Sequence, residues 1–202
     1  MNLSEKLKDA EEGLKGLSKE EQEKRVNEVL SSLSEEELEE LKRQQCVFCL
    51  IIDGKIDAYD IYEDSMVKAV LDIKPANKGH VVLFPKEHYQ IMSLMPDKLV
   101  EHIFKIANML SRAVFDGVKA NGTNIYVANG NVAGQISNHV LVHVIPRFND
   151  DHIVIPWKSK EFSEEEMKNI TKEIKSKIVK KEDVKKEVKI EAIAEREKRR
   201  IP

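Results

Sequence analysis

Hydrophobic and polar positions divide the 202-residue chain into three stretches of different period. Over residues 1–44 nearly every position is a helix former or a charge, and Leu33, Leu38 and Leu41 make a narrow apolar stripe. Ser18 with Glu21 and Ser34 with Glu37 each carry the spacing of a capping box, so one to three short helices are expected there. From Cys46 to about residue 150 the period shortens. "VKAVLDI" (67–73) and "GHVVLF" (79–84) are β-branched runs joined by the turn-rich "KPANK", and both predict strands. "TNIYVA" (123–128) and "NHVLVHVI" (138–145) predict two more, the second ended by Pro146. Between the two pairs, Val100, Phe104, Ala107, Leu110, Val114 and Val118 recur at three-to-four spacing and predict one helix over 97–120, with Pro96 near its first turn. From about residue 162 the charged pattern returns. Ser163 with Glu166 starts a further helix, and "KKEVKIEAIAEREKRRIP" reads as a solvated, mixed-charge end.

Strands joined by short turns, with one long helix inserted, define an antiparallel α+β domain rather than a doubly wound one. The expected organisation is a charged helical extension over 1–44, the α+β domain over 45–157 and a second charged helical extension over 158–202. The first extension is open to a docking or dimerisation role as well as to a purely solvated one. Composition narrows the setting. A net charge of −3 gives no basic excess for nucleic acid, and no stretch approaches the roughly 18 apolar residues of a membrane span. The N-terminus lacks an apolar signal core, and two cysteines spaced C-x-x-C are no secreted disulfide framework, so the reducing cytoplasm is expected.

Candidate chemistry concentrates in the middle stretch. On a strand, His139, Leu141 and His143 share one face and Val140, Val142 and Val144 the other. Four residues at about 3.3 Å each separate the two histidines by roughly 13 Å, too far for one metal ion, so they have different roles or none. Cys46 and Cys49 suit tetrahedral zinc, and His88 in "PKEHY" offers an imidazole, but a redox pair or two core residues fit the same spacing. In "NGNVAGQIS", Gly130 and Gly134 permit positive φ, and exposed N–H groups there could cradle an anion. His80 reads as a structural hydrogen-bonding residue, His102 and His152 as exposed, and Trp157 as packing for the C-terminal segment.

Taken in order, "CVFCLIIDGKI", "LDIKPANKGHVVLFPKEH" and "GTNIYVANGNVAGQISNHVLVHVIPR" resemble the histidine triad (HIT) family over about residues 46–157. The resemblance implies an antiparallel sheet with helices, paired into a homodimer, that binds a purine nucleotide or dinucleoside polyphosphate. It implies Asp72 at the ribose hydroxyls and Val47, Phe48, Ile51, Leu71 and Ile73 around the base. Gln135 and His143 would face the α-phosphate, with His143 giving a charge-assisted hydrogen bond. Cys46, Cys49, His88 and His139 would hold a structural zinc ion.

Two positions depart from the family pattern. Its middle histidine, the nucleophile that takes the nucleotidyl group, is Leu141 here, and leucine has no lone pair to offer. Ala128 stands where many members carry an asparagine beside the phosphate. Three functions are therefore in view. The first is a nucleotide-binding protein with weak or no hydrolase activity. The second is a nucleotide phosphate hydrolase or transferase, of the dinucleoside polyphosphate or phosphoramidate type, with His143 as its catalytic residue. The third is a zinc-stabilised interaction scaffold.

Overall fold

The computed structural model describes residues 3–154 and 159–178; Trp157 and the basic C-terminal end lie outside these. Contacts divide the chain into two compact units after Ile153. The first opens with α1 (Leu3–Gly13), α2 (Lys19–Ser32) and α3 (Glu35–Gln45). The capping boxes at Ser18–Glu21 and Ser34–Glu37 both form, each N-cap contributing about 1 kcal/mol. Leu33 is buried, and Lys6 bridges α1 to Glu37 of α3 at 2.6 Å. Cys46 then ends α3 and opens the short helix α4 (Val47–Ile52). Arg43 fastens this corner to Asp53 at 3.1 Å.

Five strands follow as one antiparallel sheet: β1 (Asp60–Glu63), β2 (Val67–Leu71), β3 (Val81–Pro85), β4 (Gly122–Val127) and β5 (Val142–Arg147), in the order β1-β2-β3-β5-β4. Helix α5 (Asp97–Val118) crosses between β3 and β4 and covers one face. The period of two sorts side chains between the faces. Val67, Ala69, Val81, Leu83, Val140, Val142 and Val144 form the core with Leu99, Ile103, Ile106, Ala107, Leu110 and Val114 of α5. Each of the valine, leucine and isoleucine side chains among them contributes about 1.5–3 kcal/mol of hydrophobic stabilisation when fully buried. On the opposite face Val70, Val82 and Phe84 pack against Phe48, Ile51, Ile52, Ala58 and Leu141. Every candidate ligand-binding group lies on this second face or beside it.

Several details differ from the sequence reading. The buried stripe of α5 runs through Leu99 and Ile103, and Phe104 is 40% exposed. The helix carries apolar residues in two adjacent phases, and the sheet selects one. The last strand begins only at Val142, because the backbone N–H of Val140 goes to Tyr89 O and that of His139 to Ser137 Oγ. The alternation survives this irregular entry: Val140 joins the α5 core and Leu141 the opposite cluster. His102 is not a free surface residue, since its Nε2 lies 2.7 Å from Asp64 Oδ2. His152 is exposed, with φ of 55°.

In the second unit, α6 (Glu164–Lys177) starts at the Ser163–Glu166 capping box and buries none of its residues. Among the described residues no helix is long and apolar enough to cross a membrane.

Candidate functional site

The first cluster is built by a cap, a helical turn and two loop histidines. Cys46 at the N-cap of α4 and Cys49 one turn later point their thiols the same way. Cys46 Sγ lies 3.4 Å from His139 Nδ1, and Cys49 Sγ lies 3.2 Å from His88 Nδ1 and 3.7 Å from His139 Nδ1. The four donor atoms all fall within 4.8 Å of one another. A tetrahedral zinc ion with ordinary bond lengths separates sulfur and nitrogen donors by about 3.5 Å, so the spacing fits such an ion. The orientation fits as well. His139 Nε2 lies 2.9 Å from the carbonyl of Pro85 and donates to it, which leaves the Nδ1 lone pair facing the thiols. Burial pushes His139 down to about 4, and burial together with the adjacent Cys46 pushes the Cys49 thiol up to about 12. Both cysteines are free thiols.

The second cluster sits further along the same sheet face. His143 on β5 lies beside Val82 of β3 and Tyr126 of β4 in register. Its Nδ1 is 3.0 Å from Nε2 of the buried His80. The tautomers follow from the hydrogen-bond network. The backbone N–H of Ala76 donates to His80 Nδ1 at 3.1 Å, so the proton of His80 is on Nε2 and is donated to His143. The neutral His143 ring then carries its own proton on Nε2. Burial lowers the pKa of both rings, against a smaller opposing pull from Asp72, so both are neutral near pH 7. His143 would therefore donate from a neutral ring, and a hydrogen bond from it to a phosphate would be charge-assisted through the anionic acceptor alone. Asp72 accepts the backbone N–H of Lys74 at 2.7 Å and turns its second oxygen toward His80, 3.6 Å away.

Between the clusters opens a cavity of about 670 Å³. Val47, Phe48 and Ile51 of α4 form one wall, and Leu71, Asp72 and Ile73 at the exit of β2 form another. His143, Leu141 and His88 also line it. Val47 is 53% and Ile73 80% exposed, an arrangement of apolar side chains that a flat apolar ligand would cover. Of the expected nucleotide-contacting residues, Gln135 alone is absent from the lining. Its Oε1 accepts the Gly130 N–H at 2.6 Å, and its Nε2 donates to Gln90 O at 2.6 Å and Ser137 O at 2.7 Å. Gln135 thus braces the glycine-bearing loop, in which Gly130 and Gly134 have φ of 89° and 90°. Asn129, next to Ala128, accepts the Met92 N–H at 2.9 Å and ties the same loop to the segment before α5.

Two features escaped the sequence reading. The direct His80–His143 contact joins residues 63 apart, and only pairing β3 with β5 would have exposed it. Lys42 and Gln45 of α3 also reach the cavity, although nothing local in their sequence signals it.

Antiparallel sheet, crossing helix, Cys/His cluster and histidine-bearing strand together are the features of one class of protein. Residues 53–150 match the HIT domain. An uncharacterised HIT-like protein from Methanocaldococcus jannaschii is 42% identical over 134 residues, covering 64% of this chain and 98% of the relative. An adenosine 5'-monophosphoramidase from Schizosaccharomyces pombe is 34% identical over 134 residues, covering 66% of this chain and 98% of the enzyme. Among solved structures, a HIT family protein from Bacillus subtilis matches with a TM-score of 0.64 and 33% identity, covering 67% of this chain and 98% of that one. A zinc-bound histidine triad family protein from Mycobacterium smegmatis matches with a TM-score of 0.53 and 33% identity, covering 58% and 86%. The chain belongs to the histidine triad family, whose members include nucleotide hydrolases.

Proposed function

We propose that this chain is a cytoplasmic purine nucleotide-binding protein in which transfer of the nucleotidyl group to the protein has been lost. The base lies between Val47, Phe48, Ile51, Leu71 and Ile73, the ribose hydroxyls donate to Asp72, and the α-phosphate meets His143. Leu141 occupies the position of the family's nucleophile. The observation that carries this reading is the 3.0 Å contact of His143 Nδ1 with His80 Nε2: the Ala76 N–H on His80 Nδ1 assigns the shared proton to His80, which leaves the proton of His143 on its Nε2 as a donor. A donor can hold a phosphate oxygen but cannot attack phosphorus. Hydrolysis through His143 as a nucleophile is correspondingly disfavoured.

Cys46, Cys49, His88 and His139 hold one zinc ion in a closed, structural site, which the donor spacing and the Pro85 hydrogen bond to His139 support. Two copies pair through the outer edge of β4, where Ile125 and Tyr126 are 41% and 39% exposed. Light scattering on the purified chain tests the pairing.

The functional test is a calorimetric titration with AMP beside single-turnover hydrolysis of an adenosine phosphoramidate. Saturable binding without turnover in wild type, and turnover appearing in Leu141→His, is the expected result. Turnover by wild type that disappears in His143→Ala would establish an enzyme instead, and absence of any saturable nucleotide binding would end the proposal.

A further inference from the structure

His80 stands between two groups that make opposite demands on its Nδ1. The backbone N–H of Ala76, 3.1 Å away, needs a lone pair there, whereas Asp72 Oδ2, at 3.6 Å, would accept a proton from it. The shorter contact prevails, so His80 and His143 are each protonated on Nε2. Handing Nδ1 of His80 to Asp72 would reverse the whole row. His80 would carry its proton on Nδ1, His143 would donate from Nδ1 to His80 Nε2, and Nε2 of His143 would hold a lone pair. Each ring keeps one proton in either arrangement, and only its place changes. The character of His143 Nε2 therefore depends on where the N–H of Ala76 points.

That N–H belongs to the turn between β2 and β3, and the turn is tied to β5. The carbonyl of Asn77 accepts the His80 N–H at 3.1 Å. The side-chain amide of Asn77 donates to Pro146 O on β5 and to Asp151 Oδ2, both at 3.1 Å. Asp151 is the fixed end of this tie, with a side chain only 6% exposed. Besides Asn77 it accepts from Arg147 Nε at 2.7 Å, from Arg147 Nη2 at 2.9 Å, and from the backbone N–H groups of Phe148 and Ile153. Arg147 is held in turn by Asn124 of β4 at 2.7 Å. Asp150 and His152, on either side of Asp151, have φ of 60° and 55°, a conformation that non-glycine residues keep where surrounding contacts impose it. None of Asn77, Arg147 and Asp151 lines the cavity.

We propose that Asn77 and Asp151 are positioning residues: through the turn they hold the Ala76 N–H on His80, and so keep His143 Nε2 a hydrogen-bond donor toward an anionic ligand. Loss of the tie shifts the pair toward the arrangement in which Asp72 takes the His80 Nδ1 proton. The consequence for ligand binding rests on the nucleotide reading of the cavity given above; the placement of the protons does not.

The test is nitrogen NMR of the full-length chain labelled with 15N-histidine, which reads the nitrogen that carries the proton in each ring, beside calorimetric titration with AMP. Wild type is compared with Asn77→Ala, Asp151→Asn and Asn124→Ala, the last removing a contact of Arg147 without touching the turn. Wild type and Asn124→Ala should show both rings protonated on Nε2. Asn77→Ala and Asp151→Asn should move both rings toward protonation on Nδ1, and AMP affinity should fall about fivefold or more as the donor is lost. Asn77 is a half-buried turn residue outside the core, so its variant keeps the test open if Asp151→Asn does not fold. Unchanged tautomers in Asn77→Ala, or the same change in Asn124→Ala, would overturn the assignment. Wild type with the expected tautomers but without AMP binding would remove the nucleotide reading and leave the positioning role standing.

Discussion

Replacing Phe84 by alanine tests how the second sheet face couples fold to site. Phe84 is fully buried, its ring centroid is 4.9 Å from Phe48 of α4, and it lies 5.8 Å from His139. One side chain therefore backs both the apolar slot and a candidate metal ligand. Removing a buried phenylalanine ring costs about 3–5 kcal/mol through lost transfer energy and the cavity left behind. We take about 4 kcal/mol here, because Phe84 also loses an edge-on aromatic partner. That is a large fraction of the roughly 5–15 kcal/mol by which domains are stable. Urea unfolding followed by circular dichroism measures the loss. AMP titration and chelator competition for bound zinc, both under folding conditions, measure the effect on the site. The control is Ile103→Ala, also fully buried but on the α5 face, with an expected cost of about 2–5 kcal/mol. Phe84→Ala should weaken both AMP and zinc, and Ile103→Ala should weaken neither while the protein is folded. Phe84→Leu, milder at about 1.5 kcal/mol, keeps the comparison open if the alanine variant does not fold. Equal effects of the Phe84 and Ile103 variants on the site at equal loss of stability would refute the coupling and reduce it to global destabilisation.

Further outcomes follow from particular contacts. Purified protein should contain about one zinc per chain, and chelation should lower Tm by about 8–16 °C, the equivalent of about 4 kcal/mol for an ion at about 1,000 times its Kd; a metal-free protein with a chelator-independent Tm would contradict the site. Burial alone would raise the Asp64 carboxyl, but the N–H groups of Met66 and Val67 with His102 and Tyr62 outweigh it and hold its pKa to about 2, against an ordinary 3.8. Because the folded value is the lower, this stabilisation is present above pH 4 and lost as pH falls toward about 2; Asp64→Asn should cost about 2 kcal/mol at pH 7 and flatten the acid limb of a pH-stability scan. Gly79 has φ of 86°, and an added Cβ would meet Val118 Cγ1 at 2.8 Å, so Gly79→Ala should cost about 2 kcal/mol in a thermal melt, and a change below about 0.5 kcal/mol would contradict the packing.

What the sequence revealed follows from how local each cause is. β2, β3 and β4 were legible because β-branched runs between turn residues leave few alternatives, and each capping box marked a helix start that formed. β1 was not anticipated: "DIYE" has no apolar alternation, since as an edge strand it is largely exposed. The run "VFCLII" is helical as α4, a state that six apolar residues do not distinguish from a strand. Within the site, the Cys46–Cys49 spacing and the alternation through His139, Leu141 and His143 could be read directly. Long-range hydrogen bonding could not. Gln135 is engaged by Gly130, Gln90 and Ser137, and His102 by an aspartate 38 residues earlier, so both took roles that local sequence does not specify.

Leu141 makes more than a gap in the chemistry. Its side chain packs with Val70, Val82 and Phe84 on the face that carries the cavity, and it also lines that cavity. A histidine there would bring a polar ring against an apolar cluster and would need a partner to hold its tautomer, as His80 holds that of His143. The leucine instead continues the apolar floor from Phe84 toward His143. The end that the proposed function assigns to phosphate then has a neutral hydrogen-bond donor in His143 beside the apolar Leu141. In the proposed function such a wall favours residence of the nucleotide over reaction with it, because a donor that serves ground state and transition state alike gives no differential stabilisation. On this reading the substitution and the neutral, donor-oriented His143 act in the same direction, and both belong to a site that holds its ligand.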